Sequence, residues 1–193
     1  MEGHFANDVT VDKQNNIYVT DSFSPHIYKI DAQGQKEIFV TSYLWDINQG
    51  EFGLNGIVYH TEGFLIVSHY AQAKLYKVSL DDSKEVTEIL FNQDNLSTEE
   101  KLSQLDGLEL SGNTLSVVSN NLSASTHGNA VYQMTSSDTW KTATITGTML
   151  TGQTSPTAVT TVGSNQYVLY ADLLKLVSQQ TAPKTYTLQK VRY

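Results

Sequence analysis

The sequence has no cysteine in 193 residues, only three prolines, and 12 basic residues against 20 acidic ones. Without cysteine no disulfide can staple the fold and no thiolate can hold a metal, so any metal must sit on oxygen or imidazole ligands. The formal charge of −8 argues against a nucleic-acid or anionic-membrane partner. Small molecules and metal cations are the expected ligands. No run of about 18 apolar residues is present to span a bilayer, and Met1 to Asp8 has neither the basic lead nor the apolar stretch of a signal peptide. The chain therefore reads as soluble, with its compartment open, since a full-length parent could still be secreted. A Gly-rich phosphate loop, a His-Glu-x-x-His helix and a Gly-x-Ser-x-Gly elbow are all missing, which leaves P-loop, zincin and serine-hydrolase chemistry unsupported.

What the sequence does have is a repeat. Asn7-Asp8-Val9-Thr10-Val11, then Ile17-Tyr18-Val19-Thr20, then Ile27-Tyr28-Lys29-Ile30 sets a pattern. It returns as Leu54-Asn55-Gly56-Ile57-Val58 with Phe64-Leu65-Ile66-Val67 and Leu75-Tyr76-Lys77-Val78, and again as Leu105-Asp106-Gly107-Leu108 with Leu115-Ser116-Val117-Val118 and Val131-Tyr132-Gln133-Met134. A worn fourth copy opens at Ser155-Pro156-Thr157-Ala158-Val159. The openings at Asn7, Asn55, Asp106 and Pro156 are 48, 51 and 50 residues apart, the period of propeller blades.

Each copy holds short runs of Val, Ile, Leu and Tyr between turn formers, which predicts antiparallel strands. Weaker runs near Glu37–Phe39, Thr87–Phe91 and Thr144–Thr148 supply a fourth strand. The expected fold is all-β: a β-propeller region of four consecutive four-stranded blades, over roughly 5–48, 49–98, 99–150 and 151–193. A β-sandwich would not repeat one pattern at even spacing. One short helix is expected at Ser97–Leu105, where Ser97 and Glu100 stand at capping-box spacing.

If the first strand of each blade begins at the top of the disc, strand alternation puts Asn7, Asn55, Asp106 and Pro156 around the channel mouth. Beside them fall the second-strand ends at Asp21, His69, Asn120 and Asp172 and the loops into the third strands, and His4, His26, His69 and His127 are expected to face the same side. A ring of side-chain oxygens suits a hard cation, and calcium takes six to eight oxygen ligands. Asn7, Asn55 and Asp106 are the candidate metal ligands. An isolated Asn-Gly or Asp-Gly is more often a hairpin turn, but a turn need not keep Asn or Asp in register three times. His69 is the candidate base, although a lone histidine is more often a hydrogen-bonded loop residue.

These motifs resemble the gluconolactonase, regucalcin and luciferin-regenerating enzyme superfamily, and most nearly its plant-type calcium-dependent phosphotriesterase-like members. The likeness rests on Ala-Asn-Asp-Val-Thr-Val-Asp from Ala6, Leu-Asn-Gly-Ile-Val-Tyr-His from Leu54 and Leu-Asp-Gly-Leu-Glu-Leu from Leu105. It implies a calcium-dependent hydrolase of lactones or phosphotriesters, with Ca2+ or another divalent cation as cofactor. Asn55 and Asp106 would match metal ligands, Asp106 doubling as base or nucleophile. Asn7 would bind metal or substrate, with Asp21, Asn120 and His127 on the substrate side.

That superfamily has six blades and a first-blade glutamate ligand. Four copies here leave a fragment lacking two amino-terminal blades, a truncated gene product, two paired open arcs or a closed four-bladed ring; the fragment is favoured, as an open arc whose bare blade edges would self-associate. The competing function is a non-catalytic propeller binding module. A lyase on the same scaffold would need a general base that the sequence does not identify.

Overall fold

A computed structural model of the protein describes residues 3–121, 128–152, 155–171, 173 and 185–193. His127 and Asp172 lie outside the described residues. The chain divides into two compact units, Met1–Leu90 and Phe91–Tyr193.

In the first unit the predicted runs become two antiparallel meanders. β1 (Ala6–Val11), β2 (Ile17–Asp21), β3 (His26–Ile30) and β4 (Lys36–Thr41) pair in sequence order, as do β5 (Leu54–His60), β6 (Phe64–His69), β7 (Lys74–Ser79) and β8 (Val86–Phe91). Between them Tyr43–Trp45 makes one 3-10 turn, capped by Ser42. The second unit repeats the plan. β9 (Gln104–Ser111), β10 (Thr114–Asn120), β11 (Ala130–Thr135) and β12 (Thr142–Leu150) form one meander, and β13 (Pro156–Val162), β14 (Asn165–Tyr170) and β15 (Thr187–Lys190) form another. Among the described residues the last meander has three strands.

The tight turn between first and second strands reuses one device. It carries a left-handed residue each time: Asn15 at φ 62°, Gly63 at 89°, Gly112 at 60° and Gly163 at 61°. At the non-glycine site, Asp12 closes the turn. Its carboxylate accepts the N–H groups of Gln14 and Asn16, the Asn16 amide and the Tyr18 hydroxyl.

Both faces of the second strands are covered, so β6 is buried at every residue and reads as a continuous apolar run rather than an alternation. In the first unit Tyr18, Ile27, Trp45, Leu65 and Tyr76 belong to one core; in the second, Val118, Val131, Val159, Val168 and Val191 belong to another. The tyrosines of the repeat serve this packing, since Tyr18, Tyr76 and Tyr132 are 2 %, 1 % and 0 % exposed.

The helix expected at Ser97–Leu105 does not form. Ser97 N–H does donate to the Glu100 carboxylate, and Glu100 and Lys101 N–H groups both donate to the Ser97 carbonyl. The chain stops after that single turn because Leu102 N–H goes to the Gln93 side chain and Gln104 enters β9. Strand pairing outcompeted a local cap. Among the described residues, no helix is long and apolar enough to cross a membrane.

Candidate functional site

The Asn-Asp, Asn-Gly and Asp-Gly motifs are β-bulges in the first strands, not hairpin turns. Between the pairs Ala6 with Asp21 and Val9 with Val19, β1 spends three residues against two of β2. The same extra residue falls between Leu54 and Ile57 in β5, between Leu105 and Leu108 in β9, and between Pro156 and Ala158 in β13. A bulge frees a residue from the ladder and re-aims its side chain, and bulges concentrate at rims and next to active sites. The freed residues are Asn7-Asp8, Asn55-Gly56, Asp106-Gly107 and Thr157. Pairing thus makes Thr157, rather than Pro156, the fourth counterpart of Asn7, Asn55 and Asp106.

The second-strand alignment shifts as well. Asp21 and His69 are true counterparts, but their partner in β10 is Ser119, and in β14 it is Tyr170. Asn120 is one step further and corresponds to Ser22. These two do the same work. Ser22 Oγ accepts from Asn7 Nδ2 at 2.8 Å and donates to the Leu54 carbonyl at 2.6 Å. Asn120 Nδ2 donates to Asp106 Oδ2 and to the Pro156 carbonyl, both at 2.6 Å. Each ties a bulge residue to the first strand of the next meander within its own unit, so the bulge side chains of Asn7 and Asp106 are held from behind.

Asn7 is exposed, Asp106 half-buried and Asn55 5 % exposed. Asn7 and Asn55 belong to the first unit, Asp106 to the second. Gly107 is needed for close approach: a Cβ there would lie 2.6 Å from the Thr157 carbonyl oxygen. At the matching place in β1 stands Asp8, which the sequence reading passed over. Its carboxylate accepts Val9 N–H at 2.8 Å and, across to β5, Ile57 N–H at 3.1 Å. Burial pushes the Asp8 carboxyl above its ordinary range, against those two hydrogen bonds. The signal for it was an acid where two sister motifs have glycine.

His69, the candidate base, is not at the surface. It is fully buried, accepts Gln72 N–H on Nδ1 at 3.3 Å and donates from Nε2 to the Trp45 carbonyl at 3.4 Å. Burial holds its imidazole below the usual value, so it is a neutral ring with both nitrogens engaged. Asp21 is buried too and holds His4 at 2.7 Å. The sequence had no means of pairing residues 17 apart across a bulge.

No family model matches the sequence, and no curated protein sequence matches it. Solved structures do match. The major allergen Mala s 1 of Malassezia sympodialis superposes with a TM-score of 0.65 at 19 % identity, covering 97 % of this chain and 56 % of that one. A luciferin-regenerating enzyme gives 0.63 at 14 % identity, over 89 % and 55 %. Virginiamycin B lyase from Staphylococcus aureus gives 0.55 at 16 % identity, over 85 % and 48 %. The fold is β-propeller-like. This propeller region spans about half the length of the structures it resembles. Luciferin-regenerating enzyme was among the proteins that the repeat motifs resembled; at these identities the likeness carries the fold.

Proposed function

We propose that this chain supplies four blades of a larger propeller hydrolase, whose first-strand bulges present oxygen ligands to a divalent cation and act on lactones or phosphotriesters. The observation that supports it most is the repeated one-residue bulge. An ordinary ladder has no reason to break at one register position in successive meanders and to place Asn7, Asn55 and Asp106 there.

The candidate donors favour calcium: two amide oxygens and one carboxylate would all be hard donors, with water left to complete the shell. A bound cation of this kind would polarise the carbonyl or phosphoryl oxygen of the substrate. The chain's own part is to hold Asp106 for proton transfer or attack, through Asn120, and to orient Asn7 through Ser22. His69 is left out of the chemistry, because its hydrogen bonds to Gln72 and Trp45 occupy both nitrogens.

A binding module is the second reading, favoured by the same ties: Asn120 commits Asp106 Oδ2 to a structural bond. The two readings separate on turnover of lactone and organophosphate panels with and without calcium. Calcium-dependent turnover lost in Asp106→Ala supports the hydrolase, and calcium binding without turnover supports the module.

A further inference from the structure

In the first unit, a histidine and an acid stand as an acid–base pair apart from the bulge residues. His4 Nδ1 lies 2.7 Å from Asp21 Oδ2; the Asp21 side chain is 2 % exposed and that of His4 is 66 % exposed. The other carboxylate oxygen of Asp21 accepts the backbone N–H groups of Phe5 and Phe23, each at 2.9 Å. Burial raises the Asp21 carboxyl, but the hydrogen bonds from Phe5, Phe23 and His4 outweigh it and keep the group below the ordinary carboxylate range.

An ionised acid on Nδ1 selects the tautomer with its proton there and leaves the lone pair on Nε2. No hydrogen bond reaches Nε2 among the described residues, whereas Tyr28 braces the ring, edge-on at 6.4 Å and with its hydroxyl 3.4 Å from Nδ1. A fixed, exposed imidazole backed by a buried carboxylate is the arrangement of a general base.

Asp21 also positions what lies beside that base. Phe5, Phe23 and Phe52 form a cluster with ring centroids 5.5, 5.9 and 5.2 Å apart, and Tyr70 backs Phe52 at 6.0 Å. Phe5 is 46 % and Phe23 41 % exposed. The shelf is rigid at its base, since Ser22 N–H donates to the Phe5 carbonyl and Gly53 N–H to the Ser22 carbonyl, both at 2.8 Å. Clustered phenyl rings kept at the surface by a buried acid are a face for a flat apolar group.

We propose that His4 and Asp21 form a general-base pair for esters or lactones bearing an aromatic group, which the Phe5, Phe23 and Phe52 shelf receives. The proposal rests on the hydrolytic reading above but not on the cation. Nε2 of His4 takes a proton from water as the water oxygen bonds to the acyl carbon. The bond to the leaving oxygen then breaks, and the imidazolium returns the proton to that oxygen, giving an acid and a phenol. Asp21 stays ionised throughout and stabilises the imidazolium.

The test is steady-state hydrolysis of dihydrocoumarin, an aromatic lactone, against δ-valerolactone, which lacks the ring. Dihydrocoumarin should have the higher kcat/KM by about tenfold, a margin that hydrophobic-pocket discrimination can supply. His4→Gln should lower kcat on dihydrocoumarin by about 10²-fold with its melting midpoint unchanged, and added imidazole should restore part of the rate. Phe23→Ala should raise KM and leave kcat close to its original value. Undiminished kcat in His4→Gln, or a loss that accompanies unfolding and resists imidazole, overturns the base pair and leaves the hydrolase reading standing. No turnover of either lactone, with or without calcium, overturns both.

Discussion

Asn120 holds Asp106 at 2.6 Å through the same amide nitrogen that reaches the Pro156 carbonyl at 2.6 Å. One buried side chain therefore fixes the bulge of β9 and the start of β13 together. Asn120→Ala removes both bonds, one of them to the buried Pro156 carbonyl, a loss of about 1–3 kcal/mol. Asn120→Asp should be worse, because it sets a second carboxylate against Asp106 and faces a carbonyl with no donor. Chemical denaturation of the three proteins checks the order; equal midpoints for Asn120→Ala and the parent would remove the tie from the account.

The Asp-Gly half of the β9 bulge carries a steric demand. A Cβ at residue 107 would meet the Thr157 carbonyl oxygen at 2.6 Å and the Ala158 Cα at 3.0 Å, both backbone atoms that cannot swing away. Gly107→Ala should destabilise the protein by about 1–3 kcal/mol through overpacking. An unchanged urea midpoint would show that β9 and β13 do not pack this closely.

Asp8 gives a pH signature with a defined sign. Its folded pKa is raised above the ordinary 3.8 by burial, so the folded chain holds this proton more tightly than the unfolded chain. The contribution to stability is present below pH 3.8 and is lost as pH rises through the folded value. Asp8→Asn lacks that loss. Its stability relative to the parent should improve between pH 3.5 and pH 7, measured by urea denaturation at both. A difference that moves the other way would mean that the bonds from Val9 and Ile57, and not burial, govern the group.

Exposed apolar side chains stand on strands at the edges of the sheets, β1, β4 and β15. Val9 and Val11 of β1 are 55 % and 50 % exposed, Ile38 of β4 is 52 %, and Leu188 of β15 is 65 %. Such surfaces invite pairing. Light scattering should show concentration-dependent mass, reduced in Val9→Lys/Val11→Lys. A monomer at all concentrations would contradict self-association through these edges.

The strands were legible because the repeat displayed each run of β-formers several times at nearly fixed spacing, and the left-handed turn residues at Asn15, Gly63, Gly112 and Gly163 recurred with it. The site was legible only in part. Asn7, Asn55 and Asp106 stand out as candidates because their register repeats, yet the bulge that explains it depends on which residues pair, and the repeat alone places Pro156 and Asn120 one residue off their counterparts. His69 looked like a rim base because sequence position does not reveal that Gln72 and Trp45 engage both ring nitrogens. The His4–Asp21 pair was not legible because its two members lie on different segments joined only by folding, and Asp8 was not because the sister motifs carry glycine at its position and give no repeat to read.

Calcium binding by titration calorimetry tests the central claim most directly. If Asp106 carries a cation site as proposed, the chain should bind calcium weakly, with Kd of about 10⁻⁴ to 10⁻³ M, and Asp106→Ala should abolish the heat. A parent protein that shows no calcium heat, or an Asp106→Ala variant that binds as the parent does, would contradict a cation site on the bulges.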